Sequence, residues 1–413
     1  MSSGSTFNAL ICTLTLAGAL LLAPAAAAQT KGRARARQPQ PQPQAPDRPS
    51  PAFDQAARLG DEARAASRLD EALAHYADAL KLRPKWADGW WYVGAIFYEK
   101  DRYEEARDAL RNAVALDPKQ GPAWGLLGLC EFQTREYERA GNSMLRGRAL
   151  GFGGNQELAA VVTYHAALLY IRFEQFEVAY DALTEFVRTG NESPKVIEAF
   201  GLALMRMPYL PSELPPDRRE QVMIAGRVGF DMAARRMEQA RAAFDTLLAR
   251  YPNEPNVHYA FGVYLLNQDA DAAMKEFRRE LEISPQHFPA MTQMAFEYLK
   301  RDQFEDALPL AEKAVQLAPK MFAARNVLGR VLLELGQLDR AIKELEEGAR
   351  LAPNSPEMHY ALGRAYRRAG READAKREVA LFQKLQEETN ARRNPQPGGE
   401  EANGGGGQPK AKP

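Results

Sequence analysis

Gly60, Gly94 and Gly128 fall 34 residues apart in succession, and this spacing constrains the chain more than any other feature. Ala72, Ala106 and Ala140 each follow one of these glycines by 12 residues, and Pro84 and Pro118 follow the first two alanines by 12. The same frame returns near the other end. Ala295, Gly329 and Gly363 are 34 apart, as are Ala307, Ala341 and Ala375, and Pro319 and Pro353 close two of these periods. Self-similarity at a period of this size marks one supersecondary unit repeated along the chain.

Within each period the apolar residues recur at i, i+3, i+4 and i+7 in two runs, which predicts two amphipathic helices per unit. Gly or Ala at the eighth and twentieth positions lets the two backbones approach closely. Proline at position 32 ends the second helix and resets the chain. One helix pair cannot bury its own apolar face, so stacking on neighbours is what stabilises it.

The pattern resembles the tetratricopeptide repeat, W-x2-L-G-x2-Y, then A-x3-F, then P. The second unit carries it nearly whole, with Trp90, Val93, Gly94 and Phe97, then Ala106 and Leu110, then Pro118. The third has Trp124, Leu127 and Gly128, and the last has Tyr360, Gly363 and Tyr366. Some nine or ten such units in frame span residues 53–389. The resemblance implies an all-α fold, a right-handed superhelical solenoid of stacked helix-turn-helix units.

The frame breaks in the middle. The third unit lacks its closing proline and runs into GFGGN, residues 151–155, and the frame restarts five residues late. The fifth unit starts near Pro194 with Gly201 but loses its second helix. In its place stands MPYLPSELPP, residues 207–216, whose four prolines forbid a helix. This stretch reads as a rigid bridge packing over an unpaired helix, or as a loop lining the binding groove. A new helix is expected near Asp217, in a unit that closes at Pro252.

Both ends read differently from the array. Residues 9–22 form an apolar run followed by small residues, so residues 1–28 read as a secretory signal cleaved after Ala28. The first eight residues lack Lys and Arg, and the alternative is an uncleaved membrane anchor. Residues 29–51 form a Pro/Gln-rich linker with a net charge of +4, read as a solvated tether or as contact with an anionic envelope surface. The N-terminal array is assigned to 52–154, the degenerate repeats with their proline-rich insertion to 155–220, and the C-terminal array with its capping helix to 221–392. A disordered tail is expected over 393–413. If the signal is removed, Cys130 is the sole cysteine, and its apolar surroundings predict a packed thiol.

In the resembled family the first helices line the concave face, with positions 2, 5, 9 and 12 pointing inward. Carried over by frame, these positions assign Trp91, Tyr98, Phe132, Tyr164 and Tyr259 to partner binding, then Phe296, Asn326, Arg330, Tyr360, Arg364 and Arg367. Aromatic residues and arginines are the side chains enriched at binding hot spots. Asn326, Arg330 and Arg364 resemble part of a carboxylate-binding clamp, and the competing reading is that these arginines pair with neighbouring glutamates.

Little points to catalysis or nucleic acid. Lys plus Arg and Asp plus Glu are 54 each, so no net positive charge marks a nucleic-acid partner. None of the five histidines has a neighbour at metal-ligand spacing, and His258 and His359 share one repeat position that is usually Trp. No cofactor, metal or catalytic residue is expected. The chain reads as a non-catalytic scaffold that binds a protein or peptide in the bacterial cell envelope. The alternative is an accessory subunit of an envelope enzyme or polysaccharide machine.

Overall fold

The computed structural model describes residues 50–393, and every regular element in that range is helical. The expected signal, the linker up to residue 49 and the tail from residue 394 lie outside the described residues. Four helix pairs come first: α1 (Pro51–Ala65) with α2 (Leu69–Leu82), α3 (Ala87–Glu99) with α4 (Tyr103–Leu116), α5 (Gly121–Gln133) with α6 (Tyr137–Leu150), and α7 (Gln156–Arg172) with α8 (Phe176–Arg188). Next comes α9 (Pro194–Leu204), which has no second helix of its own. The chain passes through the proline-rich stretch and one short turn of helix (Pro216–Arg218) into α10 (Arg219–Ala233), which pairs with α11 (Met237–Arg250). The remaining pairs are α12 (Val257–Leu265) with α13 (Ala270–Ile283), α14 (Phe288–Lys300) with α15 (Phe304–Leu317), α16 (Phe322–Glu334) with α17 (Leu338–Leu351), and α18 (Pro356–Arg368) with α19 (Glu372–Arg393). Two compact units divide between Ala260 and Phe261, inside α12.

The period is written in the backbone as well as in the side chains. Ser67, Asp101 and Arg135, 34 residues apart, have φ of 57°, 56° and 61°, and each ends a first helix. Gly336 and Gly370 do the same at 75° and 72°. A left-handed residue there lets the next amide fold back onto the helix, as when Arg102 N donates to Phe97 O at 2.9 Å. The first helix therefore stops and the second starts within a few residues.

Close packing between paired helices follows from the small residues. A Cβ on Gly94 would lie 3.3 Å from Ala106 O, and one on Gly329 would lie 3.3 Å from Ala341 O. The irregular middle uses the same device more severely. A Cβ on Gly201 would lie 1.9 Å from Val222 O, and one on Gly226 would lie 1.9 Å from Ile197 O. The expected unpaired helix is therefore not unpaired: α9 packs backbone to backbone against α10, which the proline-rich stretch delivers to it in place of a second helix of its own. Leu210 and Leu214, from the proline-rich stretch, are buried in the core that α7, α8, α9 and α10 share. Arg172 and Arg219 hold the stretch from outside by donating to Pro208 O and Pro211 O.

One contact recurs at the joint between successive pairs. The side chain at the fourth position of a repeat, near the start of its first helix, donates an N–H to the carbonyl of the closing proline six residues earlier. Trp90 Nε1 does so to Pro84 O at 2.9 Å and Trp124 Nε1 to Pro118 O at 3.0 Å. Arg325 Nε reaches Pro319 O at 2.8 Å. His258 Nε2 meets Pro252 O, and His359 Nε2 meets Pro353 O, both at 2.8 Å. Tryptophan, arginine and histidine share nothing else of note in shape, so the N–H is what the position selects. The second nitrogen of His359 lies 2.7 Å from Glu378 Oε2, so this buried side chain also holds α19.

Candidate interaction surface

Each candidate partner-binding residue sits on the first helix of a pair. In the N-terminal unit Trp91 and Tyr98 on α3 are partly buried in the core between α3 and α5. Tyr98 also meets Tyr103 edge-on at 5.8 Å. On α5, Phe132 lies 5.6 Å from Tyr137 and 4.8 Å from His165 of α7. Tyr164 is only 9% exposed, and burial pushes its hydroxyl pKa up to about 12. Its ring meets His165 and Phe186, and the Lys195 ammonium of α9 stands 5.4 Å over it. The structure therefore joins Phe132, His165, Tyr164 and Lys195 into one strip across α5, α7 and α9. Tyr259, on α12, is partly buried.

In the C-terminal unit Phe296 of α14 carries two cations over its ring, Lys300 at 5.7 Å and Arg330 of α16 at 5.3 Å. The three residues of the clamp-like arrangement each have a partner inside the protein. Asn326 Nδ2 donates to Met358 Sδ at 3.1 Å, Arg330 lies over Phe296, and Arg364 pairs with Glu334 at 2.8 Å. Glu334 also takes Arg368 at 3.1 Å. Arg367 is exposed, and Tyr360 is 51% exposed with one side of its ring 5.4 Å from Phe382.

Two further residues belong to the same face. With Gly201 as the eighth position of unit five, Lys195 and Glu198 occupy its second and fifth positions, which the family points at the groove. With no second helix in this unit, Gly201 alone sets its frame. Glu198 is 9% exposed, and its Oε1 is sealed from solvent with no hydrogen-bond donor among the described residues. Burial raises its pKa, and the Arg219 guanidinium 3.6 Å away works against that rise. His165 donates Nδ1–H to Val161 O at 2.8 Å, and burial lowers its pKa.

The arrangement can hold a ligand by stacking, charge and hydrogen bonds. No group of three or more His, Cys, Asp or Glu side chains among the described residues is placed to hold a metal ion. No helix among them is long and apolar enough to cross a membrane.

Two family models described as tetratricopeptide repeat match the sequence, one over residues 298–365 and the other over residues 57–121, 98–149 and 231–288. The chain belongs to the tetratricopeptide-repeat family, and it is a protein-interaction scaffold. Repeats of this family are typically non-catalytic. No curated protein matches the sequence. Similar solved structures include a MamA RS-1 double mutant, 23% identical, with a TM-score of 0.37, covering 42% of this chain and 97% of that one. MamA from residue 41 to its end, from Desulfovibrio magneticus RS-1, is 24% identical with a TM-score of 0.35, over 42% of this chain and 98% of that one. A MamA AMB-1 structure is 25% identical with a TM-score of 0.34, over 38% and 94%.

Proposed function

We propose that this chain is an exported, non-catalytic scaffold that holds a segment of a partner protein along the face made by its first helices. The observation that carries this reading is Tyr360. It is a large ring left 51% exposed on a first helix, one turn from Arg364 and two from Arg367. Aromatic and arginine side chains presented together are the composition of an interface core. Phe296 and Arg330, stacked on each other two pairs and one pair earlier, extend the same composition along the face.

Export to the bacterial envelope is supported by residues 9–28, an apolar stretch ending in A-x-A before Gln29. N-terminal sequencing of the mature protein is expected to begin at Gln29, and an intact Met1 start overturns that part of the reading. The groove is tested by capture from an envelope extract with wild type and with a Trp91→Ala/Arg330→Ala/Arg364→Ala variant. The variant is expected to lose specific partners that wild type retains. Equal capture of the same partners by both sinks the groove assignment.

A further inference from the structure

Leu82, Leu116 and Leu150 are 34 residues apart, and each is the last residue of a second helix, α2, α4 and α6. They are 51%, 39% and 43% exposed. The frame does not demand this, because Leu317 and Leu351, at the same position of the C-terminal unit, are half-buried. Exposed leucines scattered singly need no explanation, but three at one repeat position share a cause. Stacked pairs end their second helices on one edge, so the leucines form a ladder along the edge on which each first helix begins.

Cations accompany the ladder. Arg83, Lys85, Lys119, Arg146 and Arg148 each lie within four residues of one of its leucines, and none has a carboxylate partner among the described residues. Arg83 and Arg146 stand over the Phe53 and Trp124 rings at 3.9 and 4.4 Å, while Lys85 and Lys119 are exposed and share one repeat position. The acids nearby are fewer. Asp54 and Asp88 sit in the first turns of α1 and α3, where they complement the helix dipole, and Asp117 accepts from the Lys119 amide. Asp78 is taken by Lys81. Residues 29–51 add a net charge of +4 and join α1 at Pro51, on the same edge. Neither residues 29–49 nor residues 394–413 contain a large apolar side chain, so neither flanking stretch supplies a cover for the leucines.

The composition selects the partner. Protein interfaces are enriched in aromatic residues and arginine and depleted in lysine, and leucine is under-represented among their hot spots. Leucine beside lysine and arginine is instead what lies at the headgroup boundary of an anionic bilayer. We infer that this edge of the N-terminal unit docks on an anionic lipid surface. The leucine ladder enters the boundary, and the cations, joined by the basic stretch before α1, meet lipid phosphates. This surface stands apart from the face made by the first helices and does not depend on it.

The test is co-sedimentation of the chain from Gln29 onward, which keeps every described residue, with two kinds of vesicle. One is phosphatidylcholine alone, and the other is equal parts phosphatidylcholine and phosphatidylglycerol. Binding is expected only to the mixed vesicles and is expected to fall as salt rises. Lys85→Glu/Lys119→Glu is expected to weaken it by about twentyfold or more, at about fivefold per cation. Leu82→Gln/Leu116→Gln/Leu150→Gln is expected to weaken it by about tenfold or more. All five positions are exposed, so urea midpoints are expected to stay at the wild-type value. Equal binding to both vesicles, or binding untouched by either variant, overturns the inference. Loss only on deleting residues 29–48 assigns the contact to the basic stretch and overturns the role of the edge. If wild type ignores vesicles but self-associates in sedimentation velocity, and the leucine variant does not, the ladder is an interface between copies and the lipid inference fails.

Discussion

Gly201 and Gly226 allow a quantitative test of how α9 is held against α10. In Gly201→Ala the new Cβ would sit 1.9 Å from Val222 O and 2.8 Å from its carbonyl carbon. A carbon–oxygen contact needs about 3.3 Å, so α9 and α10 must part by about 1.4 Å. The obstacle is backbone, and no rotamer change relieves it. Inserting a methylene into a close-packed crossing costs about 1–3 kcal/mol, and a rigid obstacle places this site at the upper end. Replacing Gly by Ala inside a helix returns about 1 kcal/mol. The net expectation is a loss of about 2 kcal/mol, and Gly226→Ala, facing Ile197 O at 1.9 Å, is its mirror image. The double variant is expected to cost less than the sum, because the first methyl already separates the helices. Gly141→Ala is the control. Its Cβ would meet only Leu169 Cδ1 at 3.9 Å, so the same substitution in α6 is expected to stabilise by about 0.5–1 kcal/mol. Urea unfolding followed by circular dichroism reads the global effect, and hydrogen exchange localises it to α9 and α10, since arrays open locally. If Gly201→Ala stabilises as much as Gly141→Ala, the backbone-contact reasoning is wrong.

The joint between pairs makes a second prediction. Trp90→Phe removes the bond to Pro84 O and is expected to destabilise by about 0.5–1.5 kcal/mol, whereas Trp90→Arg retains a donor and recovers part of that loss. Equal urea midpoints for the two variants refute the donor role. Cys130 makes a third. Burial pushes its thiol pKa up to about 12, so in a Cys12→Ser background iodoacetamide at mildly alkaline pH is expected to label it only once urea opens the array. Cys130 is fully buried in α5, and labelling of the folded protein at the rate of an exposed thiol contradicts that burial.

The helix pairs were legible because Gly, Ala and Pro mark a fixed frame, and the break at residues 207–216 was legible because four prolines cannot sit in a helix. The partner of α9 was not. Gly226 carries no frame signal, and its meeting with Ile197 O depends on the path of the intervening stretch, which periodicity does not describe. The joint bond was half legible. His258 and His359 stood out at a tryptophan position, but Arg325 did not, because what the three share is an N–H direction and not a shape. The ion pair of Arg364 with Glu334 spans 30 residues, beyond any local pattern. Lys195 and Glu198 needed only Gly201 as a ruler, and the missing second helix of their unit obscured it.

The bond from a first helix to the preceding proline carbonyl crosses the boundary between neighbouring pairs while closing over only six residues. The entropy of closing so short a loop is small. Coupling between neighbours is therefore set up by local chain, ahead of the slower docking of helix faces from more distant residues. A growing chain emerging from the ribosome can fasten each new pair to the last as soon as its first turn of helix forms. The order of assembly then follows the order of synthesis, with no need to wait for the far end of the array.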